Sequence, residues 1–353
     1  MSLVCFCNPH QPKEDIMGGG TWDSGAYASA SAARSAAGID NFAYTASVRS
    51  GKASGVHPSL YPKLMKNPDP GRYPFPLRES RDSDEHPNSV PVAIIFDVTG
   101  SMGYIPQTLQ TKLPKLMDVI KDKAGLADPH VLVGAVGDSY SDSYPFQVGQ
   151  FESDNRFDEQ LRDIILEGGG GGQTKESYAL AYRFAADHTA LDSYEKRGKK
   201  GYFFTMGDEA PWPSVTRAEL SSIFGVSGGE DESIESLIAR ATERWEVFHL
   251  FAEDGSYRND TTIHERWRKL LGERMVSIED SSLVCETIAG IIHGLENAYD
   301  ADRVVSDLGL SGAAAVSVKN ALVPVVGAGA LAKRGTRTGG AVARRGASGV
   351  SRV

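Results

Sequence analysis

Pro91-Val92-Ala93-Ile94-Ile95-Phe96-Asp97-Val98-Thr99-Gly100-Ser101-Met102 is the stretch that decides how the chain folds. Its first six residues are apolar without interruption, the pattern of a central strand buried on both faces. A carboxylate and two hydroxyls, Asp97, Thr99 and Ser101, then follow at every second position. Standing alone, such residues at a strand end are ordinary turn and cap chemistry. Their meaning depends on what the rest of the chain adds.

Outward from this stretch, helix and strand patterns alternate. Residues 105–124 read as a helix with Leu109, Leu113, Leu116, Met117 and Ile120 on one face, and Pro114 predicts a kink or break in it. Strands are expected at 131–136, 201–205, 245–251 and 274–278, with an alternating edge strand at 146–151. Helices are expected at 157–167, 175–188, 234–244, 262–271 and 283–297, the last capped by Ser281 or Ser282. Such alternation predicts an α/β fold, a doubly wound and mostly parallel sheet with helices on both faces. Ligands in these sheets bind beyond the C-terminal ends of the strands. Asp97 arrives at that edge, and so does Asp208 in Thr205-Met206-Gly207-Asp208.

A third element is Thr174, which follows the glycine run 168–172 and Gln173. The run is not a phosphate loop, because Gln173-Thr174-Lys175 does not supply the Gly-Lys-Ser/Thr that phosphates require. Its glycines instead permit a tight loop that brings Thr174 to the sheet edge. Asp97, Thr99, Ser101, Thr174 and Asp208 together offer two carboxylates and three hydroxyls. These hard oxygen donors suit Mg²⁺ or Mn²⁺ in an octahedral shell that keeps some waters. Asp138 and Glu176 are candidates for a supporting role, with turn chemistry and helix-terminus electrostatics as their plainer readings. Glu209 adds a charge at the rim.

The ordered set resembles the von Willebrand factor A domain with its metal-ion-dependent adhesion site. That family's Asp-x-Ser/Thr-Gly-Ser stands here as Asp97-Val98-Thr99-Gly100-Ser101, its loop threonine as Thr174 and its strand-end aspartate as Asp208. The resemblance spans about residues 88–299 and is nearest to the bacterial and phage type. It implies direct metal contacts from Thr99, Ser101 and Thr174, with Asp97 and Asp208 acting through water. Glu209 replaces the glycine that usually follows the last aspartate. The resemblance also implies a scaffold or adaptor that takes a partner's carboxylate on the metal, working with proteins such as an AAA+ ATPase of the MoxR type. A metal-dependent hydrolase is the competing reading. It would need an acid or base beside the metal, for which Asp138, Glu176 and Glu209 are the candidates.

The flanks read differently. Residues 1–87 are rich in Gly, Ser, Ala and Pro and are expected to be irregular, with a short helix at 26–37. Cys5, Cys7 and His10 lack the spacing of a zinc site. The charged run 78–85 reads as a solvated linker, or as a strap docked beside the first strand. Residues 300–353 are Gly/Ala-rich and basic and are expected to be a tail, unstructured from 334 onward. Gly225-Val226-Ser227-Gly228-Gly229 lacks the preceding strand of a nucleophile elbow, and His264-Glu265 lacks a second zinc-protease histidine. A net charge of −9 argues against nucleic acid. No apolar run predicts a membrane span, and three cysteines with no leader-like start predict an intracellular, cytoplasmic protein.

Overall fold

The structure is a computed structural model and describes residues 20–39, 43–60, 78–169, 172 and 174–327. Its centre is a six-stranded sheet in the order β12-β11-β7-β2-β3-β4. The strands are β2 (Val90–Asp97), β3 (Pro129–Val136), β4 (Phe146–Val148), β7 (Gly201–Gly207), β11 (Trp245–Ala252) and β12 (Met275–Ile278). All neighbours run parallel except β4, which is antiparallel to β3. The chain is thus a mixed α/β fold on a mostly parallel sheet.

Side chains alternate across the central strand, and each set meets its own layer of helices. Val92, Ile94 and Phe96 share a core with α3 (Ile105–Lys112), α4 (Leu116–Asp122), α5 (Arg156–Asp163) and α11 (Val284–Asn297). Ala93 and Ile95 share the other core with α6 (Tyr178–Asp187), α8 (Arg217–Phe224), α9 (Ile234–Arg244) and α10 (Thr261–Leu271). Pro114 does interrupt the helix predicted at 105–124: a 3₁₀ turn at Leu113–Lys115 separates α3 from α4. The predicted helix 157–167 stops at Asp163, because Ile164 is already extended. The helix expected from 175 starts only at Tyr178, since Lys175–Glu176 (β5) pairs with Ala210–Pro211 (β8). A short antiparallel pair, β9 (Ser214–Val215) with β10 (Glu232–Ser233), leads into α9.

Both flanks are more ordered than their composition suggests. Helix α1 (Ser24–Ala36) is capped by Asp23, and α2 (Ala43–Arg49) ties to α5 through the bond from Thr45 Oγ1 to the Ile164 carbonyl. Trp22 is buried in the core and donates to Asp118 at 2.8 Å. The charged run does dock. Arg78–Ser80 (β1) pairs in parallel with Thr189–Leu191 (β6), and Arg81 bridges Asp192 and Glu195 of α7 (Asp192–Arg197) at 2.9 and 3.1 Å. Arg78 reaches over β4 and donates to the Val148 carbonyl at 2.9 Å.

The reading of residues 300–353 as one tail is corrected. Residues 301–326 form α12 (Ala301–Asp307) and α13 (Gly312–Val326), which bury Val304, Val318 and Leu322 in the first core. Gly290 and Gly294 of α11 make room for this contact: a Cβ on them would meet Leu322 at 2.9 Å and Val326 at 2.5 Å. Pro324 is tolerated in the last turn of α13. Nor does Ser281 or Ser282 cap α11. Asp280 caps a 3₁₀ turn that runs into it, accepting from the Ser282 amide. Cys5, Cys7, His10 and the stretch 334–353 lie outside the described residues. No helix among the described residues is long and apolar enough to cross a membrane.

Candidate functional site at the strand ends

The register of the sheet determines where the candidate residues meet. Phe96 of β2 stands beside Met206 of β7, so Asp97 and the Gly207-Asp208 step leave adjacent strands at the same edge. Asp97 Oδ1 accepts from the Thr99 amide at 2.7 Å and from the Thr99 hydroxyl at 2.6 Å. Thr99 Oγ1 lies 3.2 Å from Ser101 Oγ, and Ser101 Oγ donates to Asp208 Oδ1 at 2.8 Å. Thr99 and Ser101 each give their one hydroxyl proton to a carboxylate, so four of the five predicted residues form two hydrogen-bonded pairs whose hydroxyl oxygens lie side by side.

Thr174, the fifth, sits at the rim. Its side chain is exposed, while its carbonyl accepts from the Ala210 amide at 3.1 Å, two residues beyond Asp208. The start of the glycine run lies against this edge. Gly168 donates its amide to the Val98 carbonyl at 3.1 Å, and Gly100 donates to the Gly169 carbonyl at 2.6 Å. A Cβ on Gly100 would press on that carbonyl at 3.0 Å, so a side chain at 100 would require the glycine loop to give way slightly.

The three supporting acids are also near. Asp138 is fully buried and accepts from Trp212 Nε1 at 3.0 Å, from the Tyr140 amide at 3.2 Å and from Ser141 Oγ at 2.8 Å. It builds its turn as well as adding charge to the site. Glu176 and Glu209 face each other, and their side chains share a hydrogen bond. Burial first, then Asp97 and Glu209, push the Glu176 carboxyl far above the ordinary range. Burial raises Glu209 to a lesser extent and raises Asp208 against the hydrogen bonds it accepts. Asp97 is raised by burial despite its two bonds from Thr99, with Glu209 and Asp208 adding to the shift.

Sequence reasoning missed several supports. Tyr178, the first residue of α6, donates its hydroxyl to Asp97 Oδ2 at 2.8 Å. It can do so because residue 207 is glycine, whose Cβ would stand 1.7 Å from that hydroxyl. The Tyr257 amide donates to Asp208 Oδ2 at 3.1 Å, and Trp267 Nε1 donates to the Glu209 carbonyl at 2.9 Å. The small residue Gly207, directly before the strand-end aspartate, was the available signal for a close approach from outside the strand.

The donor set fits a hard cation in kind. It combines hydroxyls with carboxylates, and the Oε2 atoms of both Glu176 and Glu209 are buried without a hydrogen-bond partner. Among the described residues, no three His, Cys, Asp or Glu side chains converge closely enough to hold a metal by themselves. A cation here would need the hydroxyls of Thr99 and Ser101.

No family model and no curated protein matches the sequence. Among solved structures the fold is similar to that of the pilus adhesin SpaC from Lactobacillus rhamnosus GG, at 12% identity and a TM-score of 0.41, covering 63% of this chain and 31% of the adhesin. It is also similar to proximal thread matrix protein 1 from the mussel byssus, at 10% identity and a TM-score of 0.37, covering 58% of this chain and 46% of that protein. The chain thus spans less than half the length of either. These likenesses are distant and say nothing about what the chain binds.

Proposed function

We propose that the chain is a metal-dependent protein-interaction module of the von Willebrand factor A type, built on a doubly wound sheet. The observation that carries this reading is the pair of hydroxyl–carboxylate bonds, Thr99 to Asp97 and Ser101 to Asp208, whose hydroxyl oxygens lie 3.2 Å apart at two adjacent strand ends, where an α/β sheet presents its ligands. Thr99, Ser101 and Thr174 would hold Mg²⁺ or Mn²⁺, and Asp97 and Asp208 would orient those hydroxyls and balance charge. When bound, the cation supplies the positive point that meets a partner's carboxylate. Binding rather than turnover is the proposed activity, in an intracellular scaffold or adaptor. A MoxR-type AAA+ ATPase is a partner class consistent with the sequence resemblance.

Isothermal calorimetry tests the core of this reading. Wild type should bind Mg²⁺ or Mn²⁺ with a single site, and Asp97→Ala/Asp208→Ala should lose that binding. Equal affinity in the two proteins would refute the assignment. Capture of an intracellular partner should then be sensitive to EDTA and to Ser101→Ala.

A further inference from the structure

We propose that Glu209 is itself a ligand of the cation, so that the chain closes its own site; this rests on the metal reading above. Glu209 stands where the resembled family has glycine. A glycine there brings no side chain to Ser101, whereas the glutamate brings a carboxylate. The residue is only 3% exposed, and its side chain lies within hydrogen-bonding reach of Ser101 and Glu176. The peptide that follows it is held at both its carbonyl and its amide. The Glu209 carbonyl takes the Trp267 indole bond at 2.9 Å, and the next amide, Ala210, is bonded to Thr174 at 3.1 Å.

The accounting of oxygens points to the same residue. Both carboxyl oxygens of Asp97 are occupied, Oδ1 by Thr99 and Oδ2 by Tyr178. Both oxygens of Asp208 are occupied, Oδ1 by Ser101 and Oδ2 by Tyr257. Glu209 Oε2 is buried with no donor at all. Buried polar atoms without a partner are rare in native folds, and one calls for an ion or a water to satisfy it. A cation shared with Ser101 supplies what Glu209 Oε2 lacks.

The consequence concerns selectivity. A cation held by Glu209 has much of its charge neutralised before any partner arrives. A small free carboxylate cannot displace a tethered one at high effective concentration. Only a partner that adds contact surface around its own Asp or Glu can compete.

Titration of Mn²⁺ into the full chain, read by electron paramagnetic resonance and by water-proton relaxation, tests this. Wild type should bind Mn²⁺ with low relaxivity that millimolar acetate leaves unchanged. Glu209→Gln, which keeps the shape, should bind at least tenfold more weakly. Glu209→Gly should bind with higher relaxivity, which acetate then lowers. Equal Mn²⁺ affinity and relaxivity in wild type and Glu209→Gln would overturn the proposal and leave the metal reading standing. Absence of Mn²⁺ binding by wild type, or binding untouched by Asp97→Ala, would remove both. Should the variants not fold, wild type alone decides: relaxivity that acetate lowers means an open coordination position, and the proposal falls.

Discussion

Asp97 keeps its orientation because each oxygen is held from a different part of the chain. The local half of that arrangement is legible in the sequence, since Thr99 reaches back two residues by ordinary turn geometry. The other half is not, since Tyr178 lies 81 positions away and no local pattern marks it as a partner. Tyr178→Phe should leave a buried carboxyl oxygen without a donor. The expected cost is about 1–3 kcal/mol, read as a lowered urea midpoint. Mn²⁺ affinity should fall in the same variant, because Asp97 loses its anchor. Unchanged unfolding and unchanged metal binding together would show that the tyrosine merely fills space. Glu209 was visible as a departure from an expected glycine, but its burial against Glu176 depends on β5 meeting β8, a contact that the two-residue strands do not announce.

At the scale of elements, long periodic or uninterrupted apolar segments were readable and short or partner-dependent ones were not. Strands β2, β3, β7 and β11 and helix α9 declare themselves through their own residues. Helix α8 went unread although Thr216-Arg217-Ala218-Glu219 is a capping box: the Thr216 side chain bonds the Glu219 amide, and the Glu219 side chain returns the bond. The strap at β1 could not be separated from a solvated linker, because its order comes from Asp192 and Glu195 on a distant helix. Helix α13 was hidden by composition. Its Ala/Val/Gly content suggests a tail until Gly290 and Gly294 are seen to make a bed for it. Leu322 is wholly buried there, so Leu322→Ala should cost about 2–5 kcal/mol in denaturant unfolding. A loss below half a kcal/mol would mean that α13 is not part of the folded unit.

Across the whole molecule, stability should respond to acid through His130. This residue of β3 is 1% exposed, its Nδ1 lies 3.1 Å from Ser80 Oγ, and its ring meets that of His86 at 5.5 Å. Burial, reinforced by His86, lowers its pKa from 6.5 to about 4. The unfolded chain therefore takes up a proton below pH 6.5 that the folded chain refuses until about pH 4. Its contribution is complete above that window and is lost as pH falls through it, on the order of 3 kcal/mol in all. Buried Glu152, which burial raises to about 7, acts in the opposite sense, so the test is a comparison. Between pH 7 and about pH 4, wild type should lose more unfolding free energy than His130→Gln; equal losses would exclude His130 as the sensor. The sheet has a further property that no single site reveals. Its outer strands are β4, three residues long with the Val148 carbonyl taken by Arg78, and β12, four residues long. Flanks so short make poor templates for strand addition. A second chain, whether a partner's or another copy's, would gain little by pairing alongside this sheet.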